Sequence, residues 1–164
     1  MLIYEGNFGL KDYFLLSSIA IIYGIVYIMP KRFSISTSLL LFIYSSNAAS
    51  MLDNSIGGGP IDLYDIMGGP AYSVMDFVVY FLYAPFGYFF IYFYDKFHFK
   101  GMKTAGYIVL CSLIALAFEW ICIQVGIFQY KDSYLIYYSF CIYLFSQTSI
   151  ILFYRYISKT ENDR

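Results

Sequence analysis

The chain has 164 residues, of which 60% are hydrophobic, 23% aromatic and 13% charged, with a mean hydropathy of +0.64. A soluble domain carries about 25% charged residues, so this composition cannot cover a globule in water and excludes a soluble enzyme. Ten Lys and Arg against eleven Asp and Glu give a net charge of −1, and without a basic run, zinc spacing or base-stacking motif no nucleic-acid partner is expected.

Five apolar stretches follow one another: 13–29, 33–51, 72–94, 104–125 and 134–154, together 102 residues. Each is near the ~20 residues that a helix needs to cross the hydrocarbon. The runs are continuous rather than alternating, and every backbone group in lipid needs an internal partner, so the expected fold class is all-α, a polytopic transmembrane bundle. Residues 1–157 form a single five-helix membrane domain with an outer loop over 52–71, and 158–164 form a short tail. The first span has its positive charges, Lys31 and Arg32, after the apolar run, and Pro30-Lys31-Arg32 offers no cleavage site, so it is expected to stay attached.

Lys31, Arg32, Lys96, Lys100, Lys103, Arg155, Lys159 and Arg164 fall on one side of the five-span arrangement, and only Lys11 and Lys131 on the other. The positive-inside rule therefore predicts an outside amino terminus and a cytoplasmic carboxyl terminus. Glu5, Asp12, Asp53, Asp62, Asp65 and Asp132 gather on the outer side. Tyr13, Tyr72, Tyr130 and Tyr134 are expected as outer-belt anchors, and Tyr27, Tyr92, Tyr94, Tyr107, Tyr154 and Tyr156 as inner ones. Cys111, Cys122 and Cys141 lie inside spans without neighbouring ligands, so neither a metal site nor a disulfide nor any cofactor is expected.

In the outer loop, Gly57-Gly58-Gly59-Pro60 and Gly68-Gly69-Pro70 bracket a short segment. Two such turns fix two bends and leave a piece to lie on the bundle as a lid. As one helical turn, that piece would point Ile61, Leu63 and Tyr64 to the membrane surface and set Asp62 and Asp65 on the opposite face. A solvated linker obeying the charge asymmetry explains the same residues.

Glu119 lies about 9 Å inside the fourth span at ~1.5 Å per residue. A charge near mid-helix costs on the order of 2.5 to 3.5 kcal/mol, so it should face the bundle interior, on the stripe of Cys111, Ser112, Ala115 and Cys122. Asp76 in the third span, Asn47 in the second, Ser17 in the first and Ser139 in the fifth fall at comparable depth, and Tyr80 lies nearer mid-span on the stripe of Asp76. Together Ser17, Asn47, Asp76, Tyr80, Glu119 and Ser139 make a candidate polar pocket open to the outside. Two readings stand. In one, these groups are interhelical glue; in the other, Asp76 and Glu119 form a site for a cation, amine or proton, since no Lys or Arg neutralises them. Pro85 should free the carbonyl of Phe81 and bend the third span.

From about Asp62 onward, Glu119 in a late helix, Gly126-Ile127-Phe128-Gln129-Tyr130 after it, Tyr138-Ser139 with Tyr143 opening the last span, and the preceding Pro85 helix carry a likeness. In these features the chain resembles an uncharacterised family of small multi-spanning membrane proteins from spore-forming bacteria. The resemblance implies a bacterial plasma membrane and no established activity. No nucleophile stands beside a base, and the single His, His98, belongs to the basic inner loop with Lys96, Lys100 and Lys103, a cluster suited to anionic headgroups. The expected role is non-enzymatic: an accessory or assembly component whose partners are the lipid bilayer and a second copy or a larger membrane protein. A transport or binding component with the acidic pocket is the alternative.

Overall fold

The computed structural model describes residues 8–57, 62–67, 74–131 and 134–162. In chain order it contains helices α1 (Leu10–Ile28), α2 (Ile35–Ile56), α3 (Val74–Lys96), α4 (Met102–Val125) and α5 (Ile136–Asn162). Two three-residue strands, β1 (Tyr64–Ile66) and β2 (Phe128–Tyr130), occupy the α2–α3 and α4–α5 connections. All five helices are long and apolar enough to cross a membrane, and the chain is an all-α multi-pass bundle.

Local chemistry sets the helix ends. The Gly9 amide donates to Asp12 Oδ2 at 2.7 Å, so the acid in the first turn of α1 holds the residue before it. Ser34 Oγ accepts from the Thr37 amide at 3.1 Å and starts α2 after the Pro30 to Phe33 linker. At the end of α4, Gly126 takes φ +83°, a left-handed conformation open to glycine, and the Ile127 amide then reaches the Cys122 carbonyl at 2.9 Å. Two helices outrun their apolar stretches. α2 continues from Met51 through Ile56, and α5 continues through Asn162 into the segment expected as a tail, because the polar residues there prolong the backbone ladder beyond the hydrocarbon.

α3 is the most buried helix and packs on α2 and α1, while α4 packs on α5; α3 and α4 touch little. One apolar cluster, including Leu15, Val79, Leu82, Cys122 and Ile127, lies toward the strands, and another, including Leu41, Tyr88, Ile91 and Ile150, toward the opposite end. Pro85 is buried within an uninterrupted α3, and the Tyr23 hydroxyl of α1 donates to the carbonyl of Phe81 at 3.1 Å. That oxygen is the one a proline at 85 deprives of its usual donor, and in lipid it needs another.

The strands pair antiparallel, Tyr64 with Tyr130, Asp65 with Gln129 and Ile66 with Phe128. The Met67 amide donates to the Ile127 carbonyl at 2.7 Å, the Lys131 amide to the Leu63 carbonyl at 3.0 Å, and Lys11 Nζ of α1 to the Met67 carbonyl. This ribbon joins the two helix pairs at one end. The segment expected as a helical turn is therefore extended, and its Tyr64 is 6% exposed and turned into the bundle rather than to the membrane surface. The bracketing turns at Gly58 to Pro60 and Gly68 to Pro70, with Ile61, Tyr72, Glu5 and Asp132, lie outside the described residues.

Candidate functional site

The stripe on α4 that carries Glu119 faces α5 and the ribbon, so three hydroxyls converge on its carboxylate. Tyr130 of β2 donates to Oε1 at 2.6 Å, Ser139 of α5 to Oε1 at 2.7 Å, and Tyr143 of α5 to Oε2 at 3.0 Å. The Tyr134 hydroxyl and Ser139 Oγ are 2.8 Å apart, which extends the network by one more ring. Glu119 is 6% and Ser139 2% exposed, so the acid is held by the bundle and turned away from lipid.

A second acid sits across from it on α2. Because α2 runs on to Ile56, Asp53 lies in its last turns, where Oδ1 accepts from the Tyr64 hydroxyl at 2.7 Å. Asp53 Oδ2 is buried and has no hydrogen-bond partner among the described residues. Both acids line one cavity of about 400 Å³ between the α2–α3 and α4–α5 pairs. On α4 its wall extends from Cys122 to Tyr107, about 22 Å at ~1.5 Å per residue, so the volume is spread along a narrow path. The acids, with Tyr64, Tyr134, Ser139 and Tyr143, occupy the ribbon end, and the remainder is mainly Phe, Leu, Ile and Ala. No Lys, Arg or His lines it among the described residues. Its flank lies at the α3–α4 seam, where the lining residues Phe86, Phe93 and Ile114 are themselves exposed on the bundle perimeter.

The expected pocket residues separate on this geometry. Glu119 and Ser139 come together. Ser17 and Asn47 face outward, the Ser17 hydroxyl donating to the Phe14 carbonyl at 3.0 Å and Asn47 Nδ2 to the Ile43 carbonyl at 2.8 Å. Each satisfies its polar group on its own helix, which removes the need for an interior position. Asp76 is half-buried in the first turn of α3, one turn beyond Val79, the α3 lining residue nearest that end, and it suits the positive end of the helix dipole. Tyr80 is half-buried with its ring 6.3 Å from that of Tyr83, and Tyr83 rather than Tyr80 lines the cavity. The pair expected as Asp76 with Glu119 is thus Asp53 with Glu119. Asp62 and Asp65 do share a side, but they meet there on Lys131, at 2.6 and 3.1 Å, rather than facing a ligand.

Tyr130 and Tyr134, expected as belt anchors, belong to the site. Burial pushes the phenols of Tyr64, Tyr130 and Tyr134 above their ordinary value, and the neighbouring acids push the same way, so all three stay protonated at neutral pH. Lys131 is pushed up by its hydrogen bond to Asp62 and stays charged. Among the described residues no group of three His, Cys, Asp or Glu side chains is placed to hold a metal ion.

Gly57 closes the site at the end of α2. A Cβ there would lie 2.7 Å from Cε2 of Tyr64 and 3.0 Å from the Asp53 carbonyl oxygen. Gly57→Ala is therefore expected to push the Tyr64 ring off Asp53 and cost about 1 to 2 kcal/mol. Thermal unfolding in detergent checks this: the melting temperature should fall, and the additional change Tyr64→Phe should then cost little more, because the bond it removes is already broken. No family model, curated protein or solved structure matches the chain.

Proposed function

We propose that this chain is a non-enzymatic membrane component that binds, and in a transport setting passes on, an amphiphilic cation: an alkyl chain carrying an amine. The observation that carries this reading is a long, narrow, apolar cavity ending on two acids, one of which keeps a buried oxygen without a hydrogen-bond partner among the described residues. The volume is in the range of about 300 to 1,000 Å³ typical of small-molecule sites, and few polar groups among apolar walls is how such sites fix one end of a ligand. A cation at Asp53 Oδ2 supplies the missing hydrogen bond, and no Lys, Arg or His among the described lining residues competes with its charge. The ligand's chain would lie along the phenylalanines toward the seam of α3 and α4 and leave or arrive through the lipid.

Equilibrium binding of dodecylamine to the protein in lipid nanodiscs tests it. Asp53→Asn keeps an oxygen for Tyr64 and removes the acid, so affinity should drop at least about tenfold, or 1.4 kcal/mol, with the melting temperature nearly unchanged. Equal affinity in both proteins would sink the proposal.

The positive-inside rule supports an orientation in which the ribbon end faces outward and the end bearing Lys96, Lys100 and Arg155 faces the cytoplasm. A reporter fused after Arg164 is expected to read cytoplasmic and one within 57–70 external; the same side for both would break the five-span arrangement. The likeness to membrane proteins of spore-forming bacteria supports a bacterial plasma membrane. An accessory or assembly role has its own support: among the described residues, Gly24 on α1 and Gly106 on α4 have nothing within 4 Å of where a Cβ would stand, leaving two thin places where another helix can approach closely. Native mass measurement distinguishes the two, with a stable second protein favouring assembly and retained amine favouring binding.

A further inference from the structure

At the end of the bundle opposite the ribbon, Tyr94, Asp95, His98, Phe99, Lys100 and Arg155 line an open cleft of about 310 Å³. Asp95, the one acid among its described lining residues, is already engaged. Asp95 Oδ2 is bridged by Arg32 of the α1–α2 linker, and Oδ1 accepts from Tyr154 at 2.8 Å. Arg155 is not matched in this way. Its Nε and Nη2 both donate to the Tyr94 hydroxyl, and its guanidinium carbon stands 5.7 Å from the centre of that ring, contacts that orient the planar group without neutralising its charge. Neither Arg155 nor Lys100 has a carboxylate within 4 Å among the described residues.

The turn that brings Lys100 and His98 to the cleft is tightly built. His98 takes φ +50°, its amide bonds the Asp95 carbonyl at 3.2 Å, and the Phe99 ring stacks on Tyr107 at 4.7 Å. Lys100 is thereby presented from a fixed backbone frame. Apolar side chains of the same helix ends are exposed as well: Phe93, Phe97, Met102 and Tyr156, with Lys96 Nζ 5.9 Å from the centre of the Phe97 ring. Fixed positive charge beside exposed apolar side chains, at a helix end near the membrane boundary, complements a molecule that is anionic at one end and greasy at the other.

We infer that this cleft binds the phosphate of an anionic phospholipid, with Arg155 and Lys100 contacting the phosphate oxygens and the acyl chains lying on the Phe93 and Phe97 flank. Arg is suited to bidentate phosphate contact and Lys to a point-charge contact. The phosphate-binding groups share no residue with the acid-ended cavity, whose lining meets this flank at Phe93, and either site can fail without the other.

The test is thermal unfolding of the detergent-purified protein titrated with phosphatidylglycerol, phosphatidylcholine or inorganic phosphate. Phosphatidylglycerol should raise the melting temperature in a saturable way, since a ligand that binds the folded state stabilises it by mass action, while phosphatidylcholine should leave it nearly unchanged. Lys100→Gln, which alters an exposed side chain, should weaken the apparent affinity at least threefold, and Lys100→Gln with Arg155→Gln at least tenfold. Lys159→Gln, outside the cleft, should match the unmodified protein. Equal stabilisation by both lipids, or an unchanged titration in Lys100→Gln and in the double variant, overturns the inference. Full stabilisation by inorganic phosphate alone overturns the lipid assignment and makes the ligand a soluble phosphate.

Discussion

Replacing Glu119 by alanine is expected to cost about 3 kcal/mol of stability, and replacing it by glutamine about 1 kcal/mol. Alanine removes the acceptor of Tyr130, Ser139 and Tyr143 together and leaves three hydroxyls facing an apolar gap. The individual bonds are not additive, because the three hydroxyls share one carboxylate, so the figure stays below their sum. Glutamine keeps an oxygen where Tyr130 and Ser139 donate, and its amide can donate to the Tyr143 hydroxyl, which reorients to accept. Reversible unfolding in mixed micelles gives both values. Equal and negligible effects would mean that the carboxylate reaches water and holds nothing together.

The second large effect belongs to Gly87. A Cβ at that position would stand 1.8 Å from Ser45 Oγ, 2.8 Å from Ser45 Cβ and 2.9 Å from Ile150 Cδ1. The hydroxyl can rotate away and the isoleucine can yield, but the Ser45 Cβ is fixed to the α2 backbone, so α2 and α3 would have to separate. Gly87→Ala is expected to lose about 2 to 3 kcal/mol, the usual cost of overpacking. Adding Ser45→Gly removes the immovable contact and should restore more than half of the loss, despite the cost of about 0.5 to 1 kcal/mol for a glycine within a helix. A double variant no more stable than Gly87→Ala would place the strain elsewhere.

The five helices were legible because each apolar run is long and a bilayer admits few alternatives. Glu119 was legible for the same reason: an acid that deep has to face inward. Asp53 was not, because Leu52 to Ser55 reads as the start of a polar loop, yet the cavity stripe of Ser45, Ala48, Ala49, Leu52 and Asp53 keeps helical spacing straight through it. The signal for Asp53 is that helical period, which runs past Met51 where apolarity stops. The ribbon left no local signal, since its three-residue strands gain their pairing from Tyr64 meeting Tyr130, a partner distant in the chain. Without the ribbon, Tyr130 and Tyr134 look like any tyrosines at a membrane boundary. Depth alone grouped Ser17 and Asn47 with Glu119, but a serine or asparagine that bonds its own helix is free to face outward, and composition cannot distinguish the two cases.

The cavity carries its own reporter: Cys122 is buried in its wall, three residues from Glu119. In a protein with Cys111→Ala and Cys141→Ala, the rate at which a small uncharged maleimide labels Cys122 measures whether the cavity is occupied. Dodecylamine should slow that rate in a saturable way, dodecanol should require about tenfold higher concentration for the same protection, and Asp53→Asn should narrow that difference while Glu119 remains. Labelling that dodecylamine leaves unchanged, or that dodecanol slows equally well in the protein with Asp53 intact, would contradict an acid-ended site for an amphiphilic cation.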